Sequence, residues 1–165
     1  MGETFDDPDV TREAWSRLHP KEDLAVFDIA IRIQCLAALL AARYDAAVKT
    51  HGFAAYGDYS VCAAVRRNGH GTTPSALADE LLVTRAGMTG RLSRLHGAGF
   101  IERHTSEQDA RSLNIRLTPL GRRRVDATFS SLQVERTQAL ASLTTGQQEQ
   151  LATLLRAALT EDEPS

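Results

Sequence analysis

Cysteine is scarce in this chain, and its placement argues against a disulfide framework. Only Cys35 and Cys62 occur among 165 residues, far apart and in helix-like surroundings. The simplest interpretation is that both are small buried apolar side chains. A redox switch through either thiol stays open as an alternative.

Long apolar runs are also missing. No stretch of 18 consecutive apolar residues is present, and the acidic start (Glu3, Asp6, Asp7 and Asp9) lacks the basic-then-apolar order of a signal peptide. We therefore expect a cytoplasmic protein that makes no contact with a membrane.

Catalytic and metal-binding motifs are absent as well. The sequence contains no nucleophile elbow, no phosphate-binding P-loop and no His-Glu-x-x-His motif, and its five histidines are dispersed without metal-ligand spacing. We expect neither an enzyme nor a bound metal or cofactor.

Charge is distributed unevenly along the chain. Residues 81–125 contain nine arginines and three acidic residues, a local charge of +6, although the whole chain has a formal charge of -2. Clustered arginines suit phosphate groups, because each neutralised phosphate of DNA releases counterions. The middle of the chain is thus the expected nucleic-acid contact.

The hydrophobic pattern predicts a mainly helical protein. Residues 21–50 form a long helical pattern with two apolar stripes, which implies burial on two sides and a partner chain as the second neighbour. A short helix carrying Trp15 precedes it over residues 11–18, before Pro20 breaks the pattern. Another helix is expected over residues 58–67.

Two short helices joined by a tight turn follow. Thr73 can cap a helix that starts at Pro74, and Thr84 can cap the next helix, which Gly97 and Gly99 end. This order is a helix-turn-helix. Residues 100–104 and 113–117 read as strands, and the polar connection between them is long for a hairpin, as in a wing.

The closing segments are helical too. Thr118 and Pro119 start one helix, and Thr145 with Gln148 offers a capping box for the last. The predicted fold class is mainly α with a small β-wing: a winged helix-turn-helix with N- and C-terminal dimerisation helices. The expected division is an N-terminal extension (1–20), dimerisation helices (21–52 and 119–160) and a winged DNA-binding domain (53–118).

The start of the second helix of a helix-turn-helix meets base edges, so its outward residues should be polar. Thr84, Arg85, Thr89 and Arg94 fit this role, and Gly87 allows a close approach to DNA. Arg111 at the wing suits a narrow minor groove, with Asp109 holding its guanidinium. The full candidate set for DNA contact is Ser75, Thr84, Arg85, Gly87, Thr89, Arg94, Asp109 and Arg111.

Arg91 is unusual, because its spacing from Met88 and Leu95 places it on the inward side of the same helix. A guanidinium there needs a partner, which Asp58 can supply, with Arg103 close by. Two arginines and one carboxylate are either a structural ion-pair network or a seat for a small anion.

The order of these elements and several local motifs resemble the MarR family of bacterial regulators over about residues 24–160. The strongest stretches are 74–78, 83–89, 99–103, 109–111 and 117–121. The resemblance implies a homodimer that places its recognition helix in the major groove of a pseudo-palindromic operator and Arg111 in the minor groove. It also implies release from DNA by a small aromatic or acidic effector.

Within that family, residues 57–61 and 87–92 resemble the urate-responsive branch. The resemblance carries a ligand site over to Trp15, Asp58, Arg91 and Arg103. The sequence thus predicts a transcription regulator, a repressor that urate or another organic anion releases from DNA. Two alternatives stay open: a redox-sensing regulator of the same family through Cys35 or Cys62, and a winged-helix protein-interaction module that never binds DNA.

Overall fold

The computed structural model describes residues 7–69, 71–105 and 113–160, and it confirms the predicted fold class of helices with a small two-stranded wing. The elements, in chain order, are α1 (Pro8–Leu18), α2 (Ala25–Lys49), α3 (Tyr56–Arg67), α4 (Pro74–Glu80), α5 (Arg85–Gly97), β1 (Ile101–Thr105), β2 (Leu113–Leu117), α6 (Pro119–Ala139) and α7 (Thr145–Leu159).

Threonine caps set the starts of four helices. The hydroxyl groups of Thr73, Thr84 and Thr118 each accept a hydrogen bond from a backbone N–H three residues later, as their spacing predicts. The expected capping box on α7 lies one residue earlier than predicted, because Thr144 rather than Thr145 is the cap and pairs with Gln147 rather than Gln148. Either threonine has a glutamine three positions on, so sequence spacing alone cannot choose between them.

The sheet is a hairpin with one additional bridge. Strands β1 and β2 pair antiparallel from Ile101↔Leu117 at the base to Thr105↔Leu113 at the wing tip. Thr72, just before α4, exchanges two backbone hydrogen bonds with Ile115. This bridge fixes the wing against the helix-turn-helix.

The core lies in the winged part of the chain. Side chains from α3, α4, α5 and both strands bury one another, and α6 closes the cluster with Val125 and Leu132. The largest fully buried apolar side chains are Leu77, Met88, Ile101, Ile115, Leu132, Val48 and Val61. The helix-turn-helix therefore rests on a rigid support.

The outer helices are far less buried. Val48 is the one buried residue of α2, and within the described residues α1 and α7 bury none. Large apolar side chains on α2 and α7 stay exposed, such as Val26, Ile29, Ile33, Leu154 and Leu159. By length and composition alone, α2 is long and apolar enough to cross a membrane, a property that core helices of soluble proteins share.

Helix α1 begins at Pro8, three residues before the predicted start, because Asp7 caps it. An ion-pair network fastens α1 to α2: Arg32 bonds Asp9 and Asp28, and Arg12 lies 3.8 Å from Asp28. The sequence analysis missed this network, although Asp28 and Arg32 show the i, i+4 spacing of a helical pair.

Candidate nucleic-acid interface

The N-terminal turn of α5 presents polar groups to solvent. Thr84, Arg85, Gly87 and Thr89 are all exposed, and the Thr84 hydroxyl accepts from the Gly87 N–H at 3.1 Å. A helix N-terminus carries partial positive charge, which favours phosphate. The backbone and side chains of this turn therefore form one surface suited to a polyanion.

Arg85 is held in place across the helix-turn-helix. Its Nη1 donates to the hydroxyl of Ser75 in the first turn of α4, and its carbonyl accepts from the Thr89 hydroxyl at 2.9 Å. The structure thus brings Ser75, Thr84, Arg85, Gly87 and Thr89 together at one surface, which we call the α5 surface.

Arg94 lies elsewhere, in contrast to the sequence-based expectation. Nine positions after Arg85, it points about 180° away around a helix of 3.6 residues per turn. Its guanidinium forms a bidentate pair with Asp58, with Nε to Oδ2 at 3.1 Å and Nη2 to Oδ1 at 2.8 Å. Arg94 thus supports α5 through Asp58, and its contact with DNA stays a prediction.

The Asp58–Arg94 pair joins α3 to α5. The Asp58 side chain is only 3% exposed, whereas that of Arg94 is 55% exposed. Asp58 also lies in the first turn of α3, where the helix dipole favours a carboxylate. Hydrogen bonding to Asp58 raises the pKa of the Arg94 guanidinium, so this partner is charged at every relevant pH.

Arg91, which we expected to pair with Asp58, instead covers the neighbouring residue. Its Nη1 donates to the Gly57 carbonyl at 3.4 Å, and its guanidinium lies so close to Gly57 that an added Cβ would sit 2.8 Å from Cζ. Arg91 is half-buried there. The missing side chain at Gly57 makes this close approach feasible.

Arg103 reaches α5 from the wing. Its Nη2 lies 3.4 Å from the Ser93 hydroxyl, and its side chain is exposed on β1. We call Asp58, Arg91, Arg94 and Arg103 the Asp58 cluster: Arg94 pairs with Asp58, Arg91 covers the adjacent Gly57, and Arg103 contacts α5 at Ser93. Its three guanidinium groups exceed its single carboxylate.

The other predicted ligand residue is not part of this cluster. Trp15 stacks on His19 with ring centroids 5.3 Å apart and meets Phe27 of α2 edge-on at 6.3 Å. Asp109 and Arg111, the predicted wing contacts, lie outside the described residues. Within the described ranges no group of three or more potential ligand side chains could hold a metal ion.

A cavity of about 370 Å³ between α3 and α6 escaped the sequence analysis. Tyr56, Tyr59 and Phe129 line its apolar walls, and Arg136 supplies a cation. The only sequence signal is the i, i+3 spacing of the two tyrosines, which is equally typical of a core face. Its walls include none of the four residues predicted for the ligand site.

Part of this chain matches a known protein family. The MarR family model matches residues 58–112, which contain α4, α5 and the Asp58 cluster. Over these residues, which we call the MarR-family segment, the chain is similar to that family. Trp15 and the helices α1, α2, α6 and α7 lie outside the match.

The chain also has a curated relative over part of its length. The HTH-type transcriptional regulator PecS of Dickeya dadantii (strain 3937) is 36% identical over 66 residues, which are 39% of this chain. The match spans 40% of the length of that relative.

Solved structures agree on the fold over a larger share of the chain. A probable transcriptional regulator from Pseudomonas aeruginosa superposes with a TM-score of 0.69 at 23% identity, over 79% of this chain and 96% of that one. A cysteine variant of MarR from E. coli, complexed with operator DNA, superposes with a TM-score of 0.73 at 20% identity, over 84% of this chain and 100% of that one. CouR from Rhodococcus jostii RHA1, bound to p-coumaroyl-CoA, superposes with a TM-score of 0.71 at 17% identity, over 84% of this chain and 96% of that one. At these identities the likeness establishes the winged-helix fold.

Cys62, in the MarR-family segment, is a poor candidate for redox sensing. It is fully buried, and burial together with the charge of Asp58 raises the pKa of its thiol to about 12. Since the thiolate is the reactive form, Cys62 in a Cys35→Ser variant should not react with Ellman's reagent at pH 8 until guanidinium unfolds the protein. Rapid labelling of the folded variant would restore the redox alternative for Cys62.

Proposed function

We propose that this chain is a MarR-type transcriptional regulator that binds duplex DNA through the α5 surface and acts in the cytoplasm. The observation that carries the proposal is Arg85, exposed at the start of α5 and oriented by Ser75. A pre-positioned guanidinium fits the acceptor edge of guanine in the major groove. The family match over residues 58–112 supports the same role.

Charge supports the proposal as well. The segment with a local charge of +6 runs from the end of α4 through α5 and the wing to the start of α6. Such a segment attracts the phosphate backbone, and binding should weaken steeply as salt rises.

The role of Arg85 can be separated from general charge attraction. Arg85→Ala should weaken binding to a selected DNA sequence by about 1–3 kcal/mol, roughly 5- to 150-fold, and binding to random DNA much less. Fluorescence anisotropy with both duplexes measures this difference.

Arg123→Ala is the matched control, because it removes the same charge from an exposed position on α6. We expect a small loss that is equal for the two duplexes. Equal losses for Arg85→Ala on selected and random DNA would remove its base-reading role.

We propose further that the regulator is a homodimer. The apolar side chains that α2 and α7 leave exposed need a cover, and a second copy supplies the same helices by symmetry. Burial against a second copy would also explain why α2, although strongly apolar, has only one buried residue within a single chain. Two recognition helices related by a two-fold axis read a pseudo-palindrome with half-sites about 34–36 Å apart.

For the effector we propose a small organic anion such as urate, bound at the Asp58 cluster, whose binding releases a repressor from DNA. Arg91 and Arg103 supply donors for an anion, and Arg91 and Arg94 sit on α5 itself. An anion that draws these arginines towards itself would therefore shift α5. It can act only through a different affinity for the two positions of the helix.

The cavity between α3 and α6 is a second candidate binding site for the effector, because of its volume and its aromatic walls. A planar aromatic acid would stack against Tyr56 and Phe129 and pair with Arg136. Since α6 belongs to the proposed dimerisation region, this site too could alter the spacing of the DNA-binding units.

Titration of the DNA complex with urate distinguishes the two candidate effector sites, the Asp58 cluster and the α3–α6 cavity. Arg91→Gln should raise the urate concentration that releases DNA by about tenfold or more, because hydrogen bonds to a charged partner are worth about 1.5–3 kcal/mol. Arg123→Gln serves as the charge control and should respond like the wild type. If Arg91→Gln also responds normally while Phe129→Ala does not, the effector occupies the α3–α6 cavity and the Asp58 assignment is wrong.

A further inference from the structure

A second cavity lies on the outer face of the wing. Its lining includes no residue of the α5 surface or the Asp58 cluster, and it shares Arg66 with the cavity between α3 and α6. Its volume is about 290 Å³, and its charged lining residues come from four elements: Arg66 of α3, Glu102 of β1, Arg116 of β2 and Arg122 of α6. We call it the outer-wing cavity. Gly69 and Gly71 complete one wall.

The position of this cavity separates it from the α5 surface. Glu102 and Arg116 are cross-strand partners whose side chains point to the face opposite buried Ile101 and Ile115. Because α5 packs on the buried side, the cavity faces away from it. Glu102 and Arg116 lie three residue pairs, about 10 Å at 3.3 Å per residue, from Thr105 and Leu113, the outermost described pair of the wing.

Among the described residues, the charged groups of the cavity are only partly paired. Asp126 engages Nε and Nη2 of Arg66, at 3.1 and 3.5 Å, which leaves Nη1 for another acceptor. Arg116 and Arg122 form no ion pair with any residue in the described ranges. Oε1 of Glu102 lies 3.2 Å from Nε2 of His104 on the same strand.

We propose that the outer-wing cavity binds a small molecule carrying a phosphate group and hydroxyl groups, of the sugar phosphate class. Guanidinium groups match phosphate geometry with paired N–H donors, and Arg116 and Arg122 are available for this. Glu102 in the same cavity repels a bare anion and accepts hydrogen bonds from hydroxyls. The combination therefore favours a phosphate ester over inorganic phosphate.

The test uses the full chain with ribose 5-phosphate, ribose and inorganic phosphate as probes at low ionic strength. The ester should bind with a dissociation constant of about 1 mM or tighter and shift the amide resonances of Gly69 and Gly71, and ribose should not bind. Arg122→Gln should weaken ester binding about tenfold. Arg123→Gln, the same change one position along the same exposed helix turn, should alter it less than about twofold.

Two further outcomes are decisive. Glu102→Gln should weaken the ester but not inorganic phosphate, which a purely electrostatic attraction would not do. If Arg122→Gln and Arg123→Gln have the same effect, or if Arg122→Gln weakens duplex DNA as much as ribose 5-phosphate, the site is not a small-molecule site and the proposal is wrong. Neither outcome bears on the DNA-binding role of Arg85.

Discussion

Gly121→Ala lowers the free energy of unfolding by about 1–3 kcal/mol or more, the cost of forcing extra volume into a packed site. Gly121 lies in the first turn of α6, against the backbone of Phe100, and a Cβ there would sit 2.8 Å from the Phe100 carbonyl carbon. That carbonyl cannot retreat easily, because it accepts a hydrogen bond from the Thr118 N–H at 3.1 Å. Denaturant unfolding at fixed protein concentration measures the loss.

Gly97→Ala is the control for this substitution. Gly97 is the last residue of α5, and an added Cβ there meets no atom within 4 Å. Since alanine restricts the unfolded chain more than glycine, we expect a gain of about 0.4–1 kcal/mol. If both variants lose stability equally, glycine content rather than the contact with Phe100 is responsible.

Arg94→Ala should destabilise the protein more than Asp58→Asn, although Arg94 is the more exposed partner. Removing Arg94 strands a carboxylate that is 3% exposed, whereas removing the charge of Asp58 leaves a guanidinium that water already reaches. A buried polar group left without its partner costs about 1–3 kcal/mol, and a charged one costs more. Unfolding curves of the two variants measure the order.

The double variant completes this test. Combined with Arg94→Ala, Asp58→Asn should recover part of the stability, because no buried charge remains. Losses that simply add would show that the two side chains do not interact. Asp58→Asn proving the worse single variant would contradict the assigned geometry.

Local signals in the sequence predict most of the elements. Thr73, Thr84 and Thr118 mark helix starts because a side-chain cap acts within three residues, and strand β2 alternates buried Ile115 and Leu117 with polar residues. The fold class follows from the order of these elements. The start of α1 was missed, since Asp7 and Pro8 lie among other acidic residues that hide the cap.

The partners of the arginines depend on more than local signals. Arg91 and Arg94 lie on neighbouring parts of the same helix face, so which of them meets Asp58 depends on how α5 is rotated against α3. That rotation is set by Met88, Leu92 and Leu95 in the core. Sequence spacing predicted that Asp58 pairs with an arginine of this helix, but it chose Arg91 instead of Arg94.

The cavities were out of reach for a similar reason. The outer-wing cavity takes residues from α3, both strands and α6, which are up to 56 positions apart between Arg66 and Arg122. A short sequence motif cannot reveal a cavity formed by residues so far apart in the chain. The run at 122–124 could only be read as a basic face.

The most direct measurement for the DNA-binding role is selection of duplexes from a random pool, followed by anisotropy titration over a range of salt concentrations. The proposed regulator should enrich a pseudo-palindrome whose half-sites are about 10–10.5 base pairs apart, bind it as two chains per duplex, and lose affinity linearly in the logarithm of salt concentration. No enrichment, together with no affinity for any duplex at low salt, would contradict the DNA-binding role and leave the winged domain as a protein-interaction module.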